Sequence, residues 1–259
     1  LADAQASGAC VLWDVEVRVL SAAFTPPLPL PFGMGYTRGM IVTIDGPAGS
    51  GKSTVARELA KALGIAFLDT GATYRAATLE ALRRGADLDD EAALVELARR
   101  LDIRLVTGDE GLGVLVDGRD VTREIRSEAV SAESHHVAGS AAVREVLVEL
   151  QRRLGRQLGS FVAEGRDQGS VVFPEADVKF YLDARPEVRA RRRHEEMLAA
   201  GGACDYREVL ESILLRDARD RGRPVAPLVK PDGAVVIDTS EMSVSQVVEE
   251  LRRHVEAGT

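Results

Sequence analysis

Short apolar runs alternate with longer amphipathic stretches along the chain from residue 40 onward. The apolar runs have the length of buried β-strands, whereas the intervening stretches repeat their apolar positions every three or four residues, as helices do. The pattern predicts strands at 40–44, 66–68, 161–163, 178–182 and 234–237. It predicts helices at 54–63, 73–84, 90–101, 141–154, 186–199, 206–219 and 243–256. This alternation predicts an α/β fold with a parallel sheet covered by helices on both faces.

Two segments depart from the alternation. The runs 103–106 and 113–116 flank a Gly-Asp-Glu-Gly turn and predict an antiparallel hairpin inserted off the main sheet, which Asp117-Gly118 would extend into a small meander. Residues 1–39 are interrupted by prolines and glycines, so we interpret them as an irregular N-terminal extension upstream of a natural start at Met40. A short docking segment is the alternative. We expect one domain over 40–259.

Composition and charge narrow the class of protein. The net charge of −8 argues against a general nucleic-acid binder, which usually carries a basic surface. No apolar stretch reaches the ~18 residues of a membrane span. Cys10 and Cys204 lie far apart, without the spacing of a metal site or a disulfide framework. We therefore expect a cytoplasmic protein with neither a nucleic-acid nor a membrane partner.

The segment between the first predicted strand and helix carries the strongest chemical signal, because it matches the phosphate-binding pattern G-x-x-x-x-G-K-[ST]. The predicted ATP-binding residues are Gly46, Pro47, Ala48, Gly49, Ser50, Gly51, Lys52, Ser53 and Thr54. Glycines here allow backbone N–H groups and a helix N-terminus to point at one phosphate. Lys52 would reach the β- and γ-phosphates, and the Ser53 hydroxyl would bind Mg²⁺. A chance glycine turn is disfavoured, since the chain has only four lysines.

Two predicted strands are followed by residues that are suited to bind a second substrate. Thr70 and Arg75 follow the second strand, and Arg166 and Asp167 follow the third. Residues just past the carboxyl ends of parallel strands line the ligand crevice of an open sheet. A helix N-cap with an exposed arginine is an equal alternative for the first pair, and a solvent-exposed ion pair is the alternative for the second.

Arginines also crowd onto two predicted helices. Arg216, Asp220 and Arg223 share one helix face, where converging arginines repel each other unless an anion or carboxylates neutralise them. The arginines of 185–193 would place cations on a γ-phosphoryl group if that helix closed as a flap. A salt-bridged surface helix and a solvated basic face are the respective alternatives.

Together these segments resemble bacterial cytidylate kinases. The resemblance is carried by 43–47, 68–75, 164–174 and 219–228, and it runs from about residue 40 to the end of the chain. It implies transfer of the γ-phosphoryl group of ATP to CMP or dCMP with Mg²⁺. It also implies a P-loop core with a five-stranded parallel sheet flanked by helices, and a monophosphate-binding region at about 72–155. That region would contain an antiparallel β insertion at about 102–122, and a short helical lid would lie at about 186–205.

The resemblance further implies roles for individual residues. Arg75, Arg166 and Arg223 would hold the CMP phosphate, Arg216 and Asp220 would contact the sugar, and Arg144 and Asp167 would recognise the base. Thr70 and His135 complete the CMP-binding set. An arginine and a carboxylate complement the acceptors and the amine of cytosine, whereas uracil would leave an acceptor facing the carboxylate. His135 replaces the usual serine, and it either restores that hydrogen bond or weakens base discrimination. The predicted catalytic residues are Lys52, Arg166, Arg189, Arg192 and Arg193.

Other classes fit less well. A P-loop GTPase needs an Asn-Lys-x-Asp motif, and the chain contains no asparagine. A kinase of the shikimate, adenylate or guanylate type is the second candidate, separated from the first only by acceptor preference. An inactive nucleotide-binding scaffold is disfavoured because Lys52, Ser53 and the arginine sets are intact. We expect a monomer whose partners are ATP and CMP or dCMP.

Overall fold

A computed structural model describes residues 39–108, 111–199 and 201–258 of the chain. The predictions made for residues 1–38 and for the hairpin tip at 109–110 lie outside the described residues. None of the helices in the described part has the length and apolar character that a membrane crossing requires.

All five predicted strands form one parallel sheet, so the predicted α/β fold class is confirmed. The strands are β1 (Ile41–Asp45), β2 (Ala66–Asp69), β6 (Phe161–Gly165), β7 (Val178–Asp183) and β8 (Val235–Asp238). They lie in the order β2-β6-β1-β7-β8. The strand before the glycine-rich loop is therefore central, between β6 and β7. The register pairs Asp45 with Gly165 and Asp69 with Glu164, so three strands end at the same edge of the sheet.

A second, antiparallel sheet of three strands confirms the predicted insertion and meander. It contains β3 (Ile103–Gly108), β4 (Gly111–Val116) and β5 (Arg119–Asp120). Asp117 and Gly118 both have positive φ, at 50° and 80°, which is the backbone of the tight turn that joins twisted antiparallel strands. Ile103 and Val114 are buried in the same apolar core as side chains of the large sheet and its helices. This burial holds the small sheet in place.

Helices cover both faces of the large sheet. They are α1 (Lys52–Leu63), α2 (Thr70–Arg83), α3 (Glu91–Arg100), α4 (Glu128–Gly139), α5 (Ala141–Leu158), α6 (Pro186–Ala199), α7 (Tyr206–Gly222) and α8 (Val244–Ala257). Helices α1 and α8 pack on one face with the apolar side chains of β1, and α2 to α5 pack on the other.

Helix α4 was not predicted from the pattern. It buries only Val130 and Val137, a spacing too sparse to produce a clear apolar stripe. The available signal was its N-terminus, where the Ser127 hydroxyl accepts a hydrogen bond from the Val130 N–H and Glu128 lies in the first turn. The omission matters because α4 carries His135.

Candidate active site

The glycine-rich loop connects the central strand to α1 at the carboxyl edge of the sheet. Gly46, Gly49 and Gly51 have φ values of 149°, 75° and 88°, which side-chain-bearing residues rarely adopt. A Cβ atom at Gly46 would lie 2.0 Å from the Leu182 carbonyl oxygen, so this position also requires glycine for space. Lys52 is buried, and its Nζ donates to the Pro47 carbonyl at 2.7 Å. The predicted phosphate-binding segment therefore has the backbone that its sequence implies.

The Ser53 hydroxyl contacts a carboxylate that the sequence analysis did not single out. Ser53 Oγ donates to Glu164 Oε1 at 2.7 Å, and Glu164 is buried at the end of β6. The Thr70 hydroxyl donates to the Glu164 backbone carbonyl, also at 2.7 Å. An acidic residue that ends an otherwise apolar strand was the available signal. Two neighbouring oxygen ligands at the end of the phosphate loop suit a divalent cation that takes its other ligands from phosphates and water.

Cations from distant parts of the chain converge beside the loop. Burial, together with the nearby Arg166 and Arg216, lowers the pKa of Lys52 to about 7, against the opposing effect of Glu164. Burial and Arg166 likewise lower the pKa of Arg216 to about 10, with smaller contributions from Arg75 and Arg193. Each positive charge is therefore destabilised by its neighbours. A bound polyanion would relieve this repulsion, which favours an anion site over a salt-bridged surface helix.

The predicted acceptor-binding residues lie on the same edge of the sheet, and three of their five arginines are paired with carboxylates. Arg166 Nε donates to Asp220 Oδ2 at 2.9 Å, which helps to raise the pKa of Arg166 despite burial. Arg144 donates to Asp167, and both side chains are almost fully buried. These arginines are thus oriented by fixed carboxylates before any ligand binds.

The segment after β2 has features of both interpretations made from the sequence, a helix N-cap and an arginine that is oriented toward the site. Asp69 caps α2 by accepting from the Ala72 N–H at 2.9 Å, as the N-cap alternative proposes. The same carboxylate also accepts from Arg75 Nη2 at 2.9 Å, which orients that arginine toward the cation cluster. Arg75 is therefore a half-buried, oriented cation rather than a freely exposed one.

A cavity of about 440 Å³ opens between α4 and the end of α7. Arg223, Asp220 and His135 line it, together with small residues of both helices. Arg223 Nε and Nη2 are buried and have no hydrogen-bond partner among the described residues, an arrangement that costs free energy unless a ligand supplies acceptors. Burial, followed by the proximity of Arg144, lowers the pKa of Arg223.

His135 presents a defined tautomer to this cavity. Its Nδ1 lies 2.7 Å from the Ala132 carbonyl oxygen, which can only accept, so Nδ1 carries the proton. In the neutral ring Nε2 is then a hydrogen-bond acceptor. Ser134 does not take over this position, because its hydroxyl donates to the Ser131 carbonyl within α4 at 3.1 Å.

Two of the arginines assigned to the lid form hydrogen bonds with other parts of the protein. Arg189 is buried and donates to both carboxylate oxygens of Asp217, at 3.1 and 2.7 Å, and to the Ala48 carbonyl at 3.0 Å. Arg192 donates to the hydroxyl and the carbonyl of Thr239, at 3.1 and 2.5 Å. Both guanidinium groups are thus bound to acceptors of the protein in this structure, and Arg189 braces the phosphate loop. Their contact with a γ-phosphoryl group stays a prediction.

Arg193 differs from the other two lid arginines. Its side chain is exposed and contacts Glu196 at 3.3 Å, and its charge contributes to the field at Arg216. Of the three predicted lid arginines, Arg193 is the exposed one. The sequence spacing alone could not distinguish them, since all three lie within five residues of one helix.

Comparison with known proteins identifies the family. The cytidylate kinase family model matches residues 42–257. A cytidylate kinase of Pelotomaculum thermopropionicum is 50% identical over 218 residues, which cover 84% of this chain and 96% of that protein. The cytidylate kinase of Caldanaerobacter subterraneus subsp. tengcongensis is 46% identical over 84% of this chain and 95% of its own. The cytidylate kinase of Rhodococcus opacus is 47% identical over 82% of this chain and 93% of its own. With a phosphate loop, a second cation-rich site and this similarity over most of its length, the chain belongs to the cytidylate kinase family.

Proposed function

We propose that this protein transfers the γ-phosphoryl group of ATP to CMP or dCMP, forming ADP and CDP or dCDP. The observation that carries the proposal is the convergence of Lys52, Arg166 and Arg216 beside the phosphate loop, where burial and then the neighbouring positive charges lower the pKa of Lys52 and Arg216. Two bound nucleotides would place their phosphates at this point and neutralise the cations.

The triphosphate would bind the loop at 46–54. Backbone N–H groups and the N-terminus of α1 would bind its oxygens, and Lys52 would leave the Pro47 carbonyl to bind the β- and γ-phosphates. Arg189 supports this loop from behind through the Ala48 carbonyl. ATP as the donor follows from family membership.

Ser53 and Glu164 would hold the Mg²⁺ that accompanies ATP. Their oxygens are neighbours at the end of the loop, and Mg²⁺ is usually bound through one or two protein oxygens with phosphates and water completing the octahedron. The bound ion would neutralise charge that develops on the β- and γ-phosphate oxygens during transfer.

The acceptor phosphate would be bound by Arg75, Arg166 and Arg223, with Arg216 and Asp220 contacting the sugar. Arg223 contributes the donors that lack partners in the cavity wall. An oxygen of the acceptor phosphate attacks the γ-phosphorus as the bond from that phosphorus to the β,γ-bridging oxygen breaks, and ADP leaves. The acceptor oxygen is already anionic near neutral pH, so positioning and charge stabilisation supply the catalysis without a general base.

Base recognition would come from three groups beside the cavity. The paired Arg144 and Asp167 offer donors to the ring acceptors of cytosine and an acceptor to its amine. The acceptor nitrogen of His135 complements the same amine. Together these groups favour cytosine over uracil, in which the amine is replaced by a carbonyl acceptor.

We also propose that the protein acts as a monomer in the cytoplasm, with ATP and CMP or dCMP as its partners. Every residue assigned to the site comes from one chain, so the reaction needs no group from a second copy. The two cysteines lack disulfide spacing, which agrees with a reducing compartment.

The test is an ADP-release assay with ATP and Mg²⁺ against CMP, dCMP, UMP, AMP, GMP and shikimate in parallel. We expect a rate with CMP and dCMP that exceeds the rate with every other acceptor by at least about tenfold in kcat/KM. A higher rate with another acceptor would leave the donor site intact but overturn the cytosine assignment of Arg144 and Asp167.

A further inference from the structure

Asp45 is a buried acid that the proposed chemistry does not use. It is the last residue of β1, directly before Gly46 of the phosphate loop, and its side chain is fully buried. Burial raises the pKa of Asp45 to about 7, opposed by two backbone N–H groups and by Lys52. A buried carboxylate costs free energy unless hydrogen bonds compensate for its lost hydration.

Both carboxylate oxygens of Asp45 contact the turn that carries the predicted acceptor-binding residues. Oδ1 accepts from the Gln168 N–H at 2.7 Å, and Oδ2 accepts from the Gly169 N–H at 2.8 Å. These donors directly follow Arg166 and Asp167 in the chain. An asparagine would offer only one acceptor oxygen to this pair of donors, whereas a carboxylate satisfies both.

The turn at Gln168 and Gly169 is held both by packing against β1 and by a side-chain contact with Asp167. A Cβ atom at Gly169 would lie 2.8 Å from the Thr43 hydroxyl oxygen, so this segment lies directly against β1. The Gln168 side chain reaches back toward Asp167 Oδ1, at 3.4 Å. A displacement of the turn would therefore move the carboxylate that is paired with Arg144.

We infer that Asp45 is a positioning residue that aligns the acceptor-binding turn with the phosphate loop. It is covalently continuous with the loop and hydrogen-bonded to the turn, so one side chain sets the distance between the groups that bind the two substrates. The inference rests on the proposed function and extends it to the alignment of donor and acceptor. Loss of this alignment would slow transfer and weaken base selection while leaving ATP binding largely intact, because the loop glycines and Lys52 remain.

The experiment compares Asp45→Asn with a matched control, Asp177→Asn. The Asp177 carboxylate accepts from the Ile41 N–H at 2.8 Å, so it makes the same kind of bond at the opposite end of β1, remote from the site. For each protein we would measure kcat/KM with CMP and with UMP, the affinity for ATP, and the melting temperature.

We expect Asp45→Asn to lose about 10- to 100-fold in kcat/KM for CMP and to show a smaller CMP-to-UMP ratio, with ATP affinity within about threefold of wild type. Asp177→Asn should keep the wild-type ratio even if its melting temperature falls as far. A folded Asp45→Asn protein with the wild-type ratio and kcat would overturn the inference.

Gly169→Ala covers the case in which Asp45→Asn does not fold. It pushes the turn away from β1 while leaving Asp45 in place, so the same loss of rate and selectivity should appear. Unchanged selectivity in Gly169→Ala would overturn the inference. Failure of the wild-type protein to phosphorylate CMP would instead overturn the proposed function, so the two failures are distinguishable.

Discussion

The donor side and the acceptor side of this site are built in different ways. The donor side is one continuous segment, 46–54, whose geometry follows from three glycines and the start of α1. The acceptor side draws its groups from α2, α4, α5, α7 and the turn after β6. A local backbone conformation is therefore sufficient for the first, whereas the second depends on the packing of several helices.

The two sides also differ in how their cations are balanced before ligands bind. Lys52 hydrogen-bonds to a carbonyl and a hydroxyl, and no carboxylate among the described residues lies at hydrogen-bond distance from it. On the acceptor side Arg75, Arg144 and Arg166 each pair with an aspartate. Nucleotide binding on the donor side would therefore supply a counter-charge to Lys52. On the acceptor side it would add to the ion pairs of these three arginines and supply acceptors to Arg223. Substitution of Lys52 should therefore act mainly through the lost positive charge. Substitution of Arg75, Arg144 or Arg166 should act mainly through the lost alignment of the acceptor.

The largest expected effect comes from Lys52→Met, which removes the unpaired cation of the donor side. We expect kcat to fall about 10²- to 10³-fold, because the charge that develops on the transferred group loses its nearest protein cation. Steady-state kinetics with saturating ATP and CMP measure this. Lys61→Met is the control, since Lys61 is exposed on the same helix. A loss below about tenfold would contradict the role of Lys52.

The second prediction tests whether acceptor binding can be impaired without a loss of ATP affinity. Arg166→Ala should lower kcat/KM for CMP about 100-fold, since it removes a charged donor and leaves Asp220 without its partner. ATP affinity, measured by titration, should change far less. Arg156→Ala is the control, because Arg156 is exposed and pairs with Glu149. Equal losses for both substrates would mean that Arg166 belongs to both sides.

A third prediction concerns proton uptake on the donor side. In the free protein the pKa of Lys52 is about 7, so at pH 8 this amine is mostly neutral. A bound triphosphate raises that pKa, so ATP binding at pH 8 should take up close to one proton, and binding at pH 6 almost none. ATP affinity should accordingly weaken as the pH rises above 7. Calorimetry in two buffers of different ionisation enthalpy measures the uptake, and identical heats at pH 8 would contradict it.

The smallest expected effect is that of a substitution at His135, because this residue is proposed to contribute only to recognition of the base. Its acceptor Nε2 complements the amine of cytosine but would face a carbonyl acceptor in uracil, so its removal should lower the preference for cytosine. His135→Ala should therefore reduce the CMP-to-UMP ratio of kcat/KM a few-fold, as measured by steady-state kinetics with each acceptor. His135→Ser is the control, because serine keeps a hydroxyl that can accept, and it should retain most of the ratio. An unchanged ratio in His135→Ala would exclude His135 from base recognition.

Much of the fold was predictable from the sequence because its signals are local. Each of the five parallel strands is a short apolar run, and the phosphate loop is a contiguous motif between a strand and a helix. The small meander was predictable from two apolar runs around a Gly-Asp-Glu-Gly turn, followed by Asp117-Gly118. Helix α4 was missed because its two buried valines leave no stripe, so the position of His135 in the cavity wall became evident only in the structure.

The site was predictable as a set of residues but not as a set of contacts. The buried pair Arg189–Asp217 and the half-buried pair Arg166–Asp220 join positions 28 and 54 residues apart. The hydrogen bonds of Asp45 to the acceptor turn span more than a hundred residues. Such partners are selected by helix packing and strand order, which leave no periodic trace in the sequence.

The sequence by itself therefore determined the class of fold, the donor site and the family, because glycine conformations and apolar periodicity act within a few neighbouring residues. Tertiary structure decided which cations are paired within the protein. It turned Arg189 inward to Asp217 and left two buried nitrogens of Arg223 without a hydrogen-bond partner among the described residues. The physical reason is that the burial and pairing of a charge depend on every element packed around it, whereas the sequence specifies only its presence.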